Sequence, residues 1–311
     1  MTATTTRETS RRLRTAADDV AARLPPLLVQ AKRIAATVAL GSHGRRRAGP
    51  GESFWQFRPY SRDDAPQSID WRQTAKFDHV FVRDREWVAA QTVAIWSDTS
   101  PSMHYRSTRS LPTKAERAVV LAIALGELLV DGGERILRLS ANGQPQRAAA
   151  AGRLAVAQLA DGLAGDLDAS ADSKSPVPMR FTTTLPRHAA VVMISDLLSP
   201  LAEIANAIKA LSHQGSAGHI LQVLDPAEEA LPFKGRIRFV GMESEGETIV
   251  ERAEDARAAY AVRMQTHRAG VRELAARAGW SFAVHHTDRP PQLALSALHQ
   301  ALSGYAAGSG R

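Results

Sequence analysis

One short segment of the sequence carries a carboxylate and two hydroxyls at a spacing of two: Asp98-Thr99-Ser100-Pro101-Ser102. It directly follows the apolar run Thr92 to Trp96, which is typical of a strand buried on both faces of a parallel sheet. A loop leaving such a strand can direct all three side chains at one point, and these hard oxygen ligands suit Mg2+ rather than zinc or copper. The alternative is structural, because Asp98 and Ser100 can also cap a following helix.

Two further aspartates stand at the ends of apolar runs. Asp196 follows the run Val191 to Ile194, and Asp225 follows the run Ile220 to Leu224. In an open parallel sheet the carboxyl ends of the strands lie along one edge, and ligands bind there where the strand order reverses. We therefore expect Asp98, Asp196 and Asp225 to meet, with a cation or a proton to relieve their repulsion. A Mg2+-dependent hydrolase using these three aspartates is one function that this pattern allows.

Motifs for covalent or nucleotide chemistry are missing from the sequence. There is no Gly-x-x-x-x-Gly-Lys-Ser/Thr phosphate loop, no Gly-x-Ser-x-Gly elbow and no His-Glu-x-x-His motif. There is no cysteine, which excludes disulfides, thiol nucleophiles and thiolate zinc sites. Ser100 and Ser102 have no evident base to activate them. The sequence therefore favours a binding protein over an enzyme.

The elements that must position these residues alternate from about Gln91 onward. Strands separated by helices of ten to twenty residues predict crossover units, and thus a doubly wound, mostly parallel α/β sheet over residues 89–305. Before it we expect a helical segment over residues 1–40, interrupted at Pro25-Pro26, and a β- and turn-rich elaboration over residues 41–88. A long surface loop is expected over 166–188 and a disordered tail over 306–311. Helices are predicted at Thr113–Val130, Ala151–Ala164, Leu201–His213, Asp255–Ala278 and Leu293–Leu302.

Positive charge is concentrated in the N-terminal third of the chain. The 311 residues include 39 basic and 32 acidic ones, a net charge of +7, and residues 1–90 alone hold 16 basic and 10 acidic residues. This asymmetry indicates an acidic partner, which could be a protein, a lipid surface or a nucleic acid. Nucleic-acid binding would centre on Arg45-Arg46-Arg47, but no recognised nucleic-acid motif accompanies them, so it is the weaker alternative.

The apolar residues make up 44% of the chain, which is enough for a sizeable core. No run of eighteen apolar residues occurs, and the best one, Val119 to Val130, contains Glu127. The segment Met1 to Arg14 is rich in Thr and Arg and lacks the apolar part of a secretory signal. We therefore expect a cytoplasmic protein without a membrane span.

The Asp98-x-Ser100-x-Ser102 pattern resembles the metal-ion-dependent adhesion site of von Willebrand factor A domains. In that fold the two hydroxyls bind Mg2+ directly and the acid acts through water. A threonine from a second loop and an aspartate from a third loop complete the site, and a carboxylate of the partner takes the open position. The resemblance implies that Asp196 is the third-loop aspartate, and that the sheet is of the von Willebrand factor A or Rossmann-like type.

The threonine of the second loop is not evident in this sequence. The expected region, Gln146 to Arg153, contains none. Thr113 stands at the start of the first crossover helix, and Thr182 to Thr184 lie one strand too late in the chain. The Mg2+ site implied by the resemblance therefore lacks one ligand, at a cost of about 1–3 kcal/mol in metal affinity.

A longer stretch upstream is more specific. In four ordered pieces it resembles the hallmark of the domain of unknown function 58 family: Gly49-Pro50-Gly51-Glu52-Ser53-Phe54, Arg58-Pro59-Tyr60, Asp63-Asp64 and Ile69-Asp70-Trp71-Arg72. The match runs from about Gly41 to Gly246, with Arg62 in place of the usual glycine. Because genes of this family commonly neighbour those of MoxR-type AAA+ ATPases, the resemblance implies an adaptor that works with such an ATPase and a client protein in chaperone-like maturation or remodelling.

The hallmark stretch is also a candidate partner-binding surface, since Trp and Arg are frequent anchors of protein interfaces. The alternative is that Asp70 pairs with an arginine such as Arg58 to lock a loop, with Trp71 packed on the sheet domain. The candidate partner-binding residues are Arg58, Tyr60, Asp63, Asp64, Asp70, Trp71 and Arg72.

Overall fold

The structure is a computed structural model that describes residues 26–39, 54–60, 69, 71–76, 79–85, 90–171, 179–182, 185–186, 189–212, 216–243 and 246–308. A 3-10 helix spans Pro101–His104. The α-helices are α1 (26–39), α2 (Trp71–Thr74), α3 (Lys114–Asp131), α4 (Gly152–Ala171), α5 (Leu201–Ser212), α6 (Pro226–Ala230), α7 (Ala253–Arg277) and α8 (Pro291–Gly308). The strands are β1 (Phe54–Pro59), β2 (Phe81–Arg85), β3 (Thr92–Ser97), β4 (Arg135–Leu139), β5 (Ala190–Ser195), β6 (Ala217–Leu224), β7 (Ile237–Val240), β8 (Glu247–Val250) and β9 (Ser281–His286).

Five of these strands form one parallel sheet in the order β4-β3-β5-β6-β9. The chain therefore passes from β3 to β4 on one side and then returns to β5 on the other side of β3. This reversal makes the gap beyond the carboxyl ends of β3 and β5 the topological switch point, where open α/β sheets bind ligands. Asp98 follows β3 and Asp196 follows β5, so the fold places both aspartates at that point.

Helices cover both faces of the sheet. Successive strand residues point to opposite sides, so Val93 and Ile95 pack with α1, α3, α4 and α8, while Ala94 and Trp96 pack with α5 and α7. The predicted doubly wound, mostly parallel α/β sheet is thus confirmed.

The first crossover helix, α3, starts at a capping box. The Thr113 hydroxyl accepts the Glu116 amide, and the Glu116 carboxylate accepts the Thr113 amide. Reciprocal bonds of this kind satisfy two of the amide donors that a helix leaves open at its start. Thr113 therefore caps the start of the helix, and the next residue, Lys114, is the first inside it.

Two helices run further than the sequence predicted. The prediction that α4 ends at Ala164 was wrong, because the helix continues through Gly165 to Ala171. The cost of a helical glycine, about 1 kcal/mol, is offset by the burial of Leu163 and Leu167 in the core on either side of it. The last helix, α8, ends at Gly308, and the remaining residues of the predicted tail, 309–311, lie outside the described part of the chain.

Residues 26–39 are helical, and the first of them is the second proline of the predicted break. One face of this helix is apolar: Ala31, Ile34, Ala35 and Val38 recur at helical spacing and are buried in the same core as α3. Residues 1–25 lie outside the described residues. Within the part of the chain that the structure describes, no helix is long and apolar enough to cross a membrane.

Between His43 and Ala90, the described residues belong to a separate compact unit. Strands β1 and β2 pair antiparallel there, and the Tyr60 amide extends the ladder to the Val80 carbonyl at 2.8 Å. The Thr74 hydroxyl accepts the Phe81 amide at 3.0 Å and so joins α2 to the start of β2.

Candidate functional site

The first aspartate of the motif is buried at the carboxyl end of β3. The Asp98 amide donates to the Ile194 carbonyl at 2.8 Å, which extends the β3–β5 pairing into the loop. Its carboxylate accepts the Ser100 amide at 2.8 Å and the Ser195 hydroxyl at 2.6 Å. Asp98 therefore holds its own loop and ties it to the end of β5. These bonds do not cap the 3-10 helix that follows, and Ser100, at its N-cap, makes no side-chain cap either.

The two serine hydroxyls connect the motif to the second aspartate. Ser100 Oγ lies 3.1 Å from Ser102 Oγ, and Ser102 Oγ donates to Asp196 Oδ2 at 2.9 Å. Asp196 Oδ1 accepts the Leu198 amide at 3.3 Å, which fixes the carboxylate over its own loop. The structure thus brings Asp98, Ser100, Ser102 and Asp196 together at the switch point.

Lys114 also lies at this edge, although the sequence pattern did not indicate it as a site residue. Lys114 is fully buried, and its Nζ donates to Asp196 Oδ2 at 2.7 Å and to Glu228 Oε1 at 2.5 Å. The ring of Tyr105 lies below the ammonium, with its centroid 6.0 Å from Nζ. Lys114 therefore links the start of α3, the loop after β5 and helix α6.

The third predicted aspartate, Asp225, makes different bonds from those that the hydrolase hypothesis requires. Asp225 caps α6, with Oδ1 accepting the Ala227 amide at 2.8 Å and Oδ2 accepting the Ser107 amide at 2.9 Å. The Glu228 carboxylate completes this capping box at the Asp225 amide. Both oxygens of Asp225 are thus bonded to backbone, and the described residues contain no cluster of three or more acidic or histidine side chains suited to a metal.

The loop after β4 turns back along its own strand. Beyond a tight turn, residue Pro145 bridges Leu139 and Ala150 bridges Ile136, both antiparallel. The chain therefore runs back along the edge strand β4, away from the carboxyl edge, before α4 begins. Thr182 hydrogen-bonds the side chain of Gln144 instead, and Thr183 and Thr184 lie outside the described residues.

Burial and neighbouring charges shift the acidity of this cluster. Burial first, and then the Asp196 carboxylate, raise the pKa of Asp98 to about 6. Burial raises the pKa of Glu228, although Lys114 opposes the shift. Burial would lower the pKa of Lys114, but the carboxylates of Asp196 and Glu228 outweigh it, so the pKa is raised and the ammonium stays charged.

A β-hairpin formed by β7 and β8 reaches the motif loop. The Glu243 carboxylate, beyond the end of β7, accepts the Ser102 amide at 3.3 Å. Cross-strand pairs place Arg238 with Ile249 and Val240 with Glu247 on the outer face of the hairpin, where both apolar side chains are more than half exposed. An exposed apolar surface therefore lies beside the motif.

The oxygen atoms of this cluster are of the type that binds Mg2+, but their present hydrogen bonds do not suit a metal ion. Hydroxyl and carboxylate oxygens are what Mg2+ prefers. However, Asp196 Oδ2 already accepts both Ser102 Oγ and Lys114 Nζ, so an ion held by Ser102 would be separated from an ammonium by a single oxygen atom. The residues do not fit a divalent ion while Lys114 keeps these bonds, and metal binding by the motif stays a prediction.

The candidate partner-binding residues belong to the unit between His43 and Ala90. Trp71 is 68% exposed, Tyr60 is 36% exposed and Arg72 is exposed. The backbone of Arg58 lies in β1, and Asp63, Asp64 and Asp70 lie outside the described residues. Partner binding by this set stays a prediction.

The sequence carried one signal for the missed lysine. Lys114 occupies the first position of α3, where the helix dipole disfavours a cation. A lysine at that position needs anionic partners, and Asp196 and Glu228 provide them. Glu228 had its own signal as the fourth residue of Asp225-Pro226-Ala227-Glu228, a capping-box pattern.

Comparisons with known proteins identify a family. The sequence profile of "Protein of unknown function DUF58" matches residues 56–270. No curated protein matches the chain. Solved structures similar to the chain include the conserved hypothetical protein BatB from Bacteroides thetaiotaomicron, at 18% identity and a TM-score of 0.46, covering 70% of this chain and 99% of that one. Another is an aerotolerance-related membrane protein from Bacteroides fragilis, at 18% identity and a TM-score of 0.43, covering 69% of this chain and 100% of that one. Because the profile spans more than half of the sequence, this chain belongs to the DUF58 family.

Proposed function

We propose that this protein is a non-enzymatic interaction module that docks a partner at the carboxyl edge of its parallel sheet. The observation that carries the proposal is the contact between Glu243 and the Ser102 amide, because it sets an exposed apolar hairpin beside the motif at the switch point. Exposed apolar side chains next to polar groups are typical of protein-binding surfaces. The outer face of the hairpin carries Arg238, Val240, Glu247 and Ile249.

The polar groups of the edge support binding over catalysis. Ser102 donates to Asp196, but that carboxylate is charge-paired with Lys114, which makes it a poor acceptor for the hydroxyl proton. The hydrolase alternative gains no support, since Asp225 is committed to capping α6. Nucleic-acid binding through Arg45 to Arg47 concerns residues outside the described part of the chain.

The proposed partner is a MoxR-type AAA+ ATPase acting with a client protein, as the family resemblance implies, and the proposed compartment is the cytoplasm. An adaptor without a phosphate loop would depend on such a partner for ATP hydrolysis. The Mg2+ ion that the resemblance implies is left out of this proposal, because Lys114 already neutralises Asp196. An acidic side chain of the partner would pair with the exposed Arg238, whose ion pair with Glu247 is long, at 3.6 Å.

A matched pair of exposed valines tests the docking face. Val240 on the hairpin is 56% exposed and Val262 on α7 is 64% exposed, so replacing either with aspartate should leave the fold intact. Binding to a purified MoxR-type ATPase from the same organism is measured by biolayer interferometry with each variant. We expect Val240→Asp to weaken binding by about tenfold or more, because an unpaired carboxylate would be desolvated in the interface, and Val262→Asp to leave it unchanged.

Equal binding by wild type and both variants would reject this docking face. The same measurement with EDTA in place of Mg2+ separates the metal from the surface. Loss of wild-type binding in EDTA would support a metal-centred contact, provided that the ATPase itself is held in a nucleotide state that needs no Mg2+.

A further inference from the structure

The ammonium of Lys114 is fully enclosed at the carboxyl edge of the sheet. Its side chain has no solvent exposure, and the side chains of its two ion-pair partners, Asp196 and Glu228, are 4% and 14% exposed. A buried lysine is stable as a cation only when carboxylates and hydrogen bonds replace its water. Here the two carboxylates come from separate elements, the loop after β5 and helix α6.

The ammonium and the motif compete for the same oxygen atom. Asp196 Oδ2 accepts Ser102 Oγ at 2.9 Å and Lys114 Nζ at 2.7 Å, which uses both of its lone pairs. A metal ligated by Ser102 could reach Asp196 Oδ2, directly or through water, only by displacing one of these bonds. Such an ion would also lie close to a fixed positive charge in a buried environment, where the repulsion is weakly screened.

The fold brings the Lys114 ammonium to this edge, whereas the second-loop threonine implied by the resemblance is missing. The loop after β4 runs back along its own strand, so no threonine reaches the edge from there. The start of α3 supplies Thr113 and Lys114 instead, and the Thr113 hydroxyl is already bonded to the Glu116 amide. Among the described residues at the start of α3, Lys114 is therefore the one that contacts Asp196.

We propose that Lys114 is the resident cation of this edge, taking the place of Mg2+, and that the docking face is organised without a divalent metal. The ammonium neutralises Asp196 and Glu228 and thereby holds the loop after β3, the loop after β5 and α6 in one arrangement. This inference concerns the chain alone and does not depend on which partner docks.

Metal titration of the full chain tests the inference. Mg2+ binding is followed by isothermal titration calorimetry after EDTA treatment, and Mn2+ binding by electron paramagnetic resonance of the free ion. For wild type we expect no saturable binding up to about 1 mM, the weak end of protein sites for hard cations. Lys114→Met frees Asp196 Oδ2 and Glu228 Oε1 beside two hydroxyls, so we expect saturable binding at least tenfold tighter than in wild type. Lys209→Met, at an exposed lysine of α5, is the matched control and should behave as wild type.

Two results would overturn the inference. One is saturable Mg2+ binding by wild type that Ser102→Ala abolishes. The other is a folded Lys114→Met variant, verified by circular dichroism, that binds Mn2+ no better than wild type. If Lys114→Met does not fold, the inference is tested by metal titration of wild type and of Glu228→Gln. Glu228→Gln keeps the ammonium on Asp196 and is therefore expected to bind no metal. Saturable binding by Glu228→Gln that Ser102→Ala abolishes would then count against the inference. Failure of the valine test at the hairpin would leave these outcomes unchanged.

Discussion

Replacing Lys114 with methionine removes one charge from a buried cluster of three and keeps most of the volume of the side chain. Asp196 and Glu228 would then be left side by side without a cation, at sites that the ammonium approaches to 2.7 and 2.5 Å. With an effective dielectric constant of 20, each pair is worth about 6 kcal/mol of gross attraction. Most of that offsets the desolvation of the three charges, so the gross values are not the expected loss.

The expected loss of unfolding free energy is limited by the ability of the variant to protonate one of the two carboxylates. Removing one partner of a buried ion pair costs about 3–5 kcal/mol. The variant can limit its loss by binding a proton at one carboxylate, which at pH 7 costs about 4 kcal/mol for an ordinary glutamate. The two figures agree, so we expect Lys114→Met to lower the free energy of unfolding by about 4 kcal/mol at pH 7.

The same reasoning fixes the sign of the pH dependence. Protonating the stranded carboxylate becomes cheaper as the pH falls towards its pKa, whereas the raised pKa of Lys114 keeps wild type charged throughout this range. The difference in unfolding free energy between wild type and variant should therefore shrink from pH 7.5 to pH 5.5, by about 2.7 kcal/mol at most, the value for one proton over two pH units.

Guanidinium chloride unfolding followed by circular dichroism measures both quantities, provided that the slope of the free energy against denaturant is unchanged. Lys209→Met, at an exposed lysine, should change the free energy by less than about 0.5 kcal/mol. A loss below about 1 kcal/mol for Lys114→Met, or a loss independent of pH, would refute the view that the ammonium holds this cluster together.

Three further predictions concern the elements around the site. Thr113→Ala should cost about 1 kcal/mol of unfolding free energy, because the capping box of α3 is lost; an unchanged denaturation midpoint would contradict this. Gly218→Ala should lower the free energy of unfolding by more than about 2 kcal/mol, since the added carbon would lie 1.7 Å from the ring of Trp280. Gly165→Ala, with open space around it, should instead stabilise α4 by about 0.5–1 kcal/mol. Equal denaturation midpoints for the two variants would refute this assignment. Burial lowers the pKa of His219 to about 4, and burial together with Arg117 lowers that of His285 to about 4. The unfolded state therefore binds more protons between pH 6.5 and pH 4, so stability that is complete above pH 6.5 should be lost across that window, by up to about 3 kcal/mol for each histidine. His219→Gln should reduce this slope in denaturation measured at several pH values, and an unchanged slope would contradict it.

The doubly wound sheet was predictable from the sequence because the signals are local. Apolar runs such as Val191 to Ile194, separated by helical periods and by Gly and Pro, are set by residues close together in the chain. The same locality explains the error at α4, because Gly165 is a local stop signal that tertiary packing of Leu163 and Leu167 overrides.

The convergence of Asp98 and Asp196 followed from a topological rule that needs no side-chain detail. Once both were assigned to the ends of parallel strands, they had to lie on one edge. Their meeting at β3 and β5 required one further fact, the strand order, which the sequence does not contain. Asp225 follows β6 at the same edge, but the Ala227 amide donates to its carboxylate, which therefore caps α6 instead of joining the other two aspartates.

By itself, the sequence determined which elements form and which polar residues stand at the ends of the buried strands. Only the tertiary structure decided what charge accompanies them. Lys114 lies 82 residues from Asp196 and 114 from Glu228 along the chain, so no spacing rule pairs them. A lysine side chain is ordinarily solvated. Lys114 can be buried at this edge only because carboxylates from two other elements surround its ammonium.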